Sequence, residues 1–183
     1  RDAQESRGLG DVYKRQTLVN ASVSVEPPMF VDVVNVTSAA DMADVVKSKA
    51  AEQDIIIMTA AVADFCPSHP ADEKIKKNDS SYESVIELER TEDILSYLGA
   101  HKAKGQLICG FSMETQNMLE NSKAKLAKKN ADMIVANNLK VAGAGFGTDT
   151  NVVTLITADD CTELEIMDNS CVAARIMDRL LKM

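Results

Sequence analysis

Apolar residues along this chain alternate between two patterns. In some stretches nearly every position is aliphatic, and in others an apolar residue recurs every third or fourth position. The first pattern predicts buried strands and the second amphipathic helices. TLV, starting at Thr17, and the β-branched run VDVVNV over 31–36 read as strands. Ser38 stands in an N-cap position before AADMADVVKSKAAEQ, where Met42, Val45, Val46 and Ala50 recur at helical spacing. DIIIMT over 54–59 is continuously apolar, as in a strand covered on both faces. Strand, helix and strand in succession form the unit of a parallel sheet with a right-handed crossover.

Residues 60–71 hold two prolines and no period, which predicts a loop. Residues 84–88 alternate weakly and are a candidate strand, and 93–101 reads as a short helix. QLICGFS over 106–112 predicts a buried strand, 117–129 a helix with Met118, Leu119, Ala124 and Leu126 apolar, and MIVAN over 133–137 another strand. After a Gly-rich stretch, 152–156 predicts a strand and 164–167 its hairpin partner around Asp159 and Asp160. Residues 172–181 predict a closing amphipathic helix. Strands alternating with helices indicate an α/β fold, with a doubly wound, mostly parallel sheet and a C-terminal β-hairpin. Ligands of such sheets sit at the carboxyl ends of the strands, so the loops after Thr59, Ser112 and Asn137 are the expected site.

With 45% hydrophobic residues, 4% aromatic and no Trp, the core must be aliphatic. A net charge of −8 weighs against nucleic acid as a partner, because affinity there rests on many phosphate contacts from Lys and Arg. An anionic ligand would need a local basic cluster working against the global field. Cys66, Cys109, Cys161 and Cys171 form no CxxC pair, and His69 and His101 are far apart, so no zinc spacing is present. Reduced thiols and a cytoplasmic location are expected. No apolar run approaches membrane-spanning length. Residues 1–16 are polar, lack a sustained period and resemble translated adaptor or vector sequence. They are expected to be a non-native leader to a partial domain over 17–183.

Candidate chemistry clusters in three places. Asp64 in AAVADF precedes Lys74 of EKIKK by ten residues. Ala60, Ala61 and Ala63 permit close approach of a ligand, Asp64 can accept from ribose hydroxyls, and Lys74, Lys76 and Lys77 suit a polyphosphate. A solvated charged turn is the competing reading. Lys125 and Lys129 share a helix face, either as phosphate ligands or as surface lysines. Phe111 can stack on a base or serve the core. GAGFG over 143–147 is not a dinucleotide fingerprint, since a predicted strand follows it rather than a helix.

In order along the chain, TLVNASVSVEPP, AAVADF, EKIKK, TEDIL, GFSMET, KKNADMIVAN and GFGTDTN resemble the phosphopantothenoylcysteine synthetases over nearly all of 17–183. The resemblance implies a Rossmann-like homodimer with phosphopantothenate–cysteine ligase activity in coenzyme A biosynthesis. In that family CTP and Mg²⁺ convert 4′-phosphopantothenate into an acyl-cytidylate, and the amine of cysteine displaces CMP. FMN would belong only to a preceding decarboxylase half. By position, Met58, Thr59, Ala60 and Asp64 would contact the nucleotide. Lys74 would bind the triphosphate and be catalytic. Glu92, Asp93, Ile94, Leu95, Phe111, Lys125 and Lys129 would complete the CTP pocket, with no residue assigned to the metal. TEDI and GFSMET depart from the family's commoner NPDI and small pair before ET, which bears on nucleotide preference. The family's first strand and Gly-rich loop have no counterpart, so the chain is expected not to complete the synthesis alone. Two other readings remain: another Rossmann-like enzyme, such as an NAD(P)-dependent oxidoreductase, and a non-catalytic interaction domain.

Overall fold

A computed structural model describes residues 15–21, 26–71, 73, 85–114, 117–138 and 150–183. The chain divides into two compact units, one of residues 1–48 with 62–92 and the other of 49–61 with 93–183.

In the first unit, β1 (Thr17–Ala21) and β2 (Asp32–Val36) pair in parallel, Thr17 opposite Asp32 and Ala21 opposite Val36. Helix α1 (Ala39–Ala50) starts with a reciprocal cap. The Asp41 amide donates to Ser38 Oγ (3.1 Å), and the Ser38 amide donates to Asp41 Oδ2 (3.0 Å). This is a capping box with Asp in the usual place of Glu, and it bears out Ser38 as the helix start.

The stretch 60–71 is not wholly a loop. Phe65–Pro67 forms β4, which pairs antiparallel with β5 (Leu88–Arg90), a strand lying C-terminal to the predicted 84–88. Three-residue strands are too short for periodicity to announce. Pairing at a distance defines these two: the Thr91 amide donates to Asp64 O (3.0 Å), and the Arg90 guanidinium lies 5.1 Å from the Phe65 ring centre.

The second unit is built on five strands in the order β10–β9–β7–β6–β3. Strands β3 (Ile55–Met58), β6 (Leu107–Glu114) and β7 (Met133–Asn138) are parallel. Strands β9 (Val153–Ile156) and β10 (Cys161–Glu163) form the C-terminal hairpin, antiparallel to β7 and to each other. Helix α2 (Ile94–Ala100) lies between β3 and β6 in sequence, and α3 (Met118–Lys129) between β6 and β7. A short ladder, β8 (Thr150–Asn151) with β11 (Met167–Asp168), leads into α4 (Asn169–Leu180).

Strand β7 shows that the mixed sheet is covered on both faces. Met133, Ile134, Val135 and Ala136 are all fully buried, and successive side chains point to opposite faces. Met133 and Val135 join Cys109, Val153 and Leu155 in one cluster with Val172, Ile176 and Leu180 of α4. On the opposite face Leu95 of α2 and Ile134 crowd Gly110, and Ser112 of β6 shares a buried hydrogen bond with Ser122 of α3 (2.7 Å).

Some boundaries move, each for a local reason. The hairpin partner is 161–163 rather than 164–167, because the turn closes tightly: the Thr157 amide donates to Asp160 O (2.9 Å), and the Asp160 amide to Thr157 Oγ1 (3.1 Å). Helix α4 begins at Asn169, before the predicted 172, because Asp168 caps it by accepting from the Cys171 amide (2.8 Å). Strand β3 is half-buried throughout rather than fully covered, since it ends the five-strand order. The strands flanking α1 have different partners, β2 pairing with β1 and β3 with β6.

The tightest helix contact joins α2 to the end of α3. A Cβ on Gly99 would lie 1.8 Å from Lys129 O, and Asn130 Nδ2 donates to Gly99 O (2.8 Å). Gly99→Ala should therefore cost about 2 kcal/mol or more in unfolding free energy, the scale of an overpacked contact that cannot relax. Urea unfolding measures this, and a midpoint equal to the parent's would contradict so close a contact.

Candidate functional site

The register of the parallel strands sets one edge of the second unit. Met58 pairs with Gly110, so Thr59 and Ala60 leave β3 where Phe111 continues β6. Helix α3 follows β6 and packs beside it. Its Leu126 and Ser122 are buried, which leaves Lys125 and Lys129, four apart, half-buried beside them. Lys125 Nζ donates to Phe111 O (2.8 Å). Lys129 Nζ pairs with Asp93 Oδ2 and also donates to Ser96 Oγ (2.9 Å).

Asp93 has two tasks. One carboxylate oxygen accepts from the Ser96 amide (2.9 Å) and caps α2, while the other binds Lys129. Partial burial pushes its pKa up, but hydrogen bonds from Lys129 and the Ser96 amide, with the lysine's charge, outweigh this and hold the carboxyl below its ordinary value. The Lys129 side chain is 14% exposed against 51% for Asp93. The cation is thus enclosed while its counter-ion reaches water.

Two ammonium groups are therefore tethered on one face of α3, one to a neutral carbonyl of β6 and one to a carboxylate and a hydroxyl at the start of α2. Lys125 keeps its full charge, because a carbonyl does not neutralise it. Such a pair can attract an anion and orient it by charge-assisted hydrogen bonds.

Of the expected site residues, Met58, Thr59, Ala60, Asp93, Ile94, Leu95, Phe111, Lys125 and Lys129 all belong to this second unit. Ile94 is buried, at 4% exposure. Leu95 lies on Gly110, where a Cβ would come within 2.7 Å of it. Phe111 is half-buried against the apolar cluster beneath α4, so it serves the core in part. Asp64 and Glu92 belong to the first unit. Asp64 is exposed, and Glu92 accepts from Lys47 Nζ (2.6 Å). Lys74, Lys76 and Lys77, and the GAGFG stretch, lie outside the described residues.

The pattern reading missed Ser96. Its spacing from Asp93 carries the signal, three residues on from an N-cap Asp, but its contact with Lys129 depends on two helices meeting. Cys109 is no nucleophile, since burial pushes its thiol up to about 12. Among the described residues no three His, Cys, Asp or Glu gather to hold a metal, and no helix is long and apolar enough to cross a membrane.

Comparison with known proteins shows the family. The family model for the DNA/pantothenate metabolism flavoprotein C-terminal domain matches residues 9–183. The chain is 44% identical over 168 residues to the coenzyme A biosynthesis bifunctional protein CoaBC of Bacillus subtilis, covering 91% of this chain and 41% of that protein. It is 43% identical over 167 residues to a protein of an unknown prokaryotic organism named cysteine/cysteine sulfinic acid decarboxylase, covering 90% of this chain and 46% of that one. It therefore spans less than half the length of either relative. The crystal structure of the C-terminal domain of a coenzyme A biosynthesis bifunctional protein CoaBC superposes with a TM-score of 0.77 at 38% identity, over 99% of this chain and 80% of that one.

The Asp93–Lys129 pair gives a signed pH dependence. Asp93→Asn keeps a capping oxygen but removes the charge. It should cost about 1 kcal/mol near neutral pH, the upper range for a pair whose carboxylate is half exposed. The Asp93 carboxyl is lowered from 3.8, so its contribution is complete above that value and fades as pH falls through the lowered one. Unfolding of parent and variant at pH about 7 and about 3 should show the gap narrowing in acid. A gap that widens would contradict the pairing.

Proposed function

This chain belongs to the DNA/pantothenate metabolism flavoprotein C-terminal domain family, and from that membership we propose that it is a phosphopantothenate–cysteine ligase of coenzyme A biosynthesis. The observation that carries this reading is that Lys125 and Lys129 share a face of α3 and are each held there, one by the Phe111 carbonyl in the middle of β6 and one by the capped start of α2.

The chemistry requires such a place. A carboxylate is a poor acyl electrophile and must become a mixed anhydride before an amine can attack it. In the proposed reaction, 4′-phosphopantothenate attacks the α-phosphate of CTP, pyrophosphate leaves, and the amine of cysteine then displaces CMP to form the amide. A triphosphate and a phosphorylated acid, both anionic, must meet in a molecule of net charge −8. Lys125 and Lys129 offset that charge locally, and Lys74 is assigned to the triphosphate as pyrophosphate departs. The backbone at Thr59 and Ala60 offers close approach, and Asp64 is assigned to the ribose.

Mg²⁺ would supply further neutralisation of the triphosphate. The described residues form no carboxylate cage, which fits an ion carried mainly by phosphate oxygens and water, as Mg²⁺ prefers. In this reading FMN and decarboxylation belong to a portion of the whole protein that the chain does not span. The protein is placed in the cytoplasm and acts as a homodimer.

Calorimetric titration tests the nucleotide assignment. CTP with Mg²⁺ should bind, and Lys125→Ala or Lys129→Ala should each weaken it about 10-fold, the loss of one charge-assisted hydrogen bond. NADPH should not compete. Binding of NADPH in preference to CTP would overturn the ligase reading.

A further inference from the structure

We infer that Ser96 is a positioning residue for Lys129: with Asp93 it fixes the ammonium group so that one N–H remains directed to an anionic ligand. The identity of that ligand rests on the proposed nucleotide reading, whereas the fixing of the lysine does not.

A lysine ammonium has three N–H donors and no acceptor. Two of those donors are engaged on the first turn of α2, one by Asp93 Oδ2 and one by Ser96 Oγ at 2.9 Å. Tetrahedral geometry at Nζ then sends the third away from both acceptors. A single anchor would leave the group free to pivot. Lysine is among the side chains that lose most rotamer freedom on being fixed, so a second anchor sharpens where its charge sits.

The residue type matters as much as the contact. Ser96 is uncharged, so only Asp93 neutralises Lys129, and a second carboxylate there would cancel its pull on an anion. A hydroxyl can accept from the lysine while its own hydrogen turns elsewhere. Ser96 also orders Asp93, because its amide donates to Asp93 Oδ1 at 2.9 Å. One residue thus holds both members of the ion pair. The close contact of Gly99 with Lys129 O brings the end of α3 near enough for this.

Lysine acylation and nucleotide titration together test the inference. Under limiting acetylating reagent, Lys129 should react more slowly than Lys123 and Lys128, which are exposed on the same helix. Ser96→Ala should speed acetylation of Lys129 about 3-fold or more, and raise the CTP dissociation constant about 3- to 10-fold, the range for one ordinary hydrogen bond, since the effect on the ligand is indirect. The thermal midpoint should fall by no more than about 2–4 °C, and Ser96→Thr should return both readouts to parent values. Unchanged Lys129 reactivity in Ser96→Ala would overturn the inference. If reactivity rises and Lys129→Ala weakens CTP while Ser96→Ala does not, the positioning has no bearing on the ligand, and the inference also falls. If Lys129→Ala itself leaves CTP affinity untouched, the nucleotide reading fails instead, while the acetylation result still judges the positioning.

Discussion

The approach of α2 to the last turn of α3 is the constraint from which the site follows. Only glycine at position 99 permits it, because any Cβ there would overlap Lys129 O. Once the helices are that close, Asn130 can reach Gly99 O, and the Lys129 side chain comes to the start of α2 rather than to water. Backbone contact at one end of α2 thereby sets side-chain geometry at the other. The cost of enclosing Lys129 is met locally, by a carboxylate whose pKa is lowered in return.

That contact depends on the sheet beneath it. Strands β6 and β7 carry residues buried on both faces, so their position is fixed by packing from both sides. The amino ends are fastened by polar side chains. Asp132 takes the Ile108 amide (2.7 Å) and Lys102 Nζ (2.5 Å), and buried Gln106 donates to Ala50 O (2.7 Å) and Gln53 O (2.6 Å). Lys125 is held against the middle of β6 and Lys129 against the start of α2.

Pattern and packing contributed differently to what could be read in advance. The strands at 31–36, 54–59, 106–112 and 133–137, and the helices between them, were legible because a two-sided strand and an amphipathic helix must each display their period over several residues. Ser38 was legible as a helix start because capping is local. The strands at Phe65–Pro67 and Leu88–Arg90 were not, since their partners lie some twenty residues apart and neither is long enough to show alternation. Lys125 and Lys129 could be assigned a shared face, but not their acceptors. Which lysine meets Phe111 O and which meets Asp93 depends on the packing of α3 against β6 and α2. Ser96 lay below notice for the same reason: nothing local to it asks for a lysine.

Charge gives these contacts their significance. In a molecule of net charge −8, free surface lysines would be poor anion ligands, because the surrounding carboxylates and screening ions weaken their pull. Lys129 avoids this by being 14% exposed, where a single charge acts through less water. Enclosing a charge is costly unless it is paired, so a counter-ion is required. Asp93 supplies one without occupying every donor, and Ser96 supplies an anchor without adding charge. Lys125 solves the same problem differently, on a carbonyl that orients but does not neutralise. In the proposed reading, one lysine on a neutral carbonyl and one partly compensated lysine on the same helix face make a graded anion site: the first attracts, and the second, already fixed, directs. Such an arrangement suits a ligand whose negative charge is redistributed as it reacts, because the fixed donor need not reorganise when that happens.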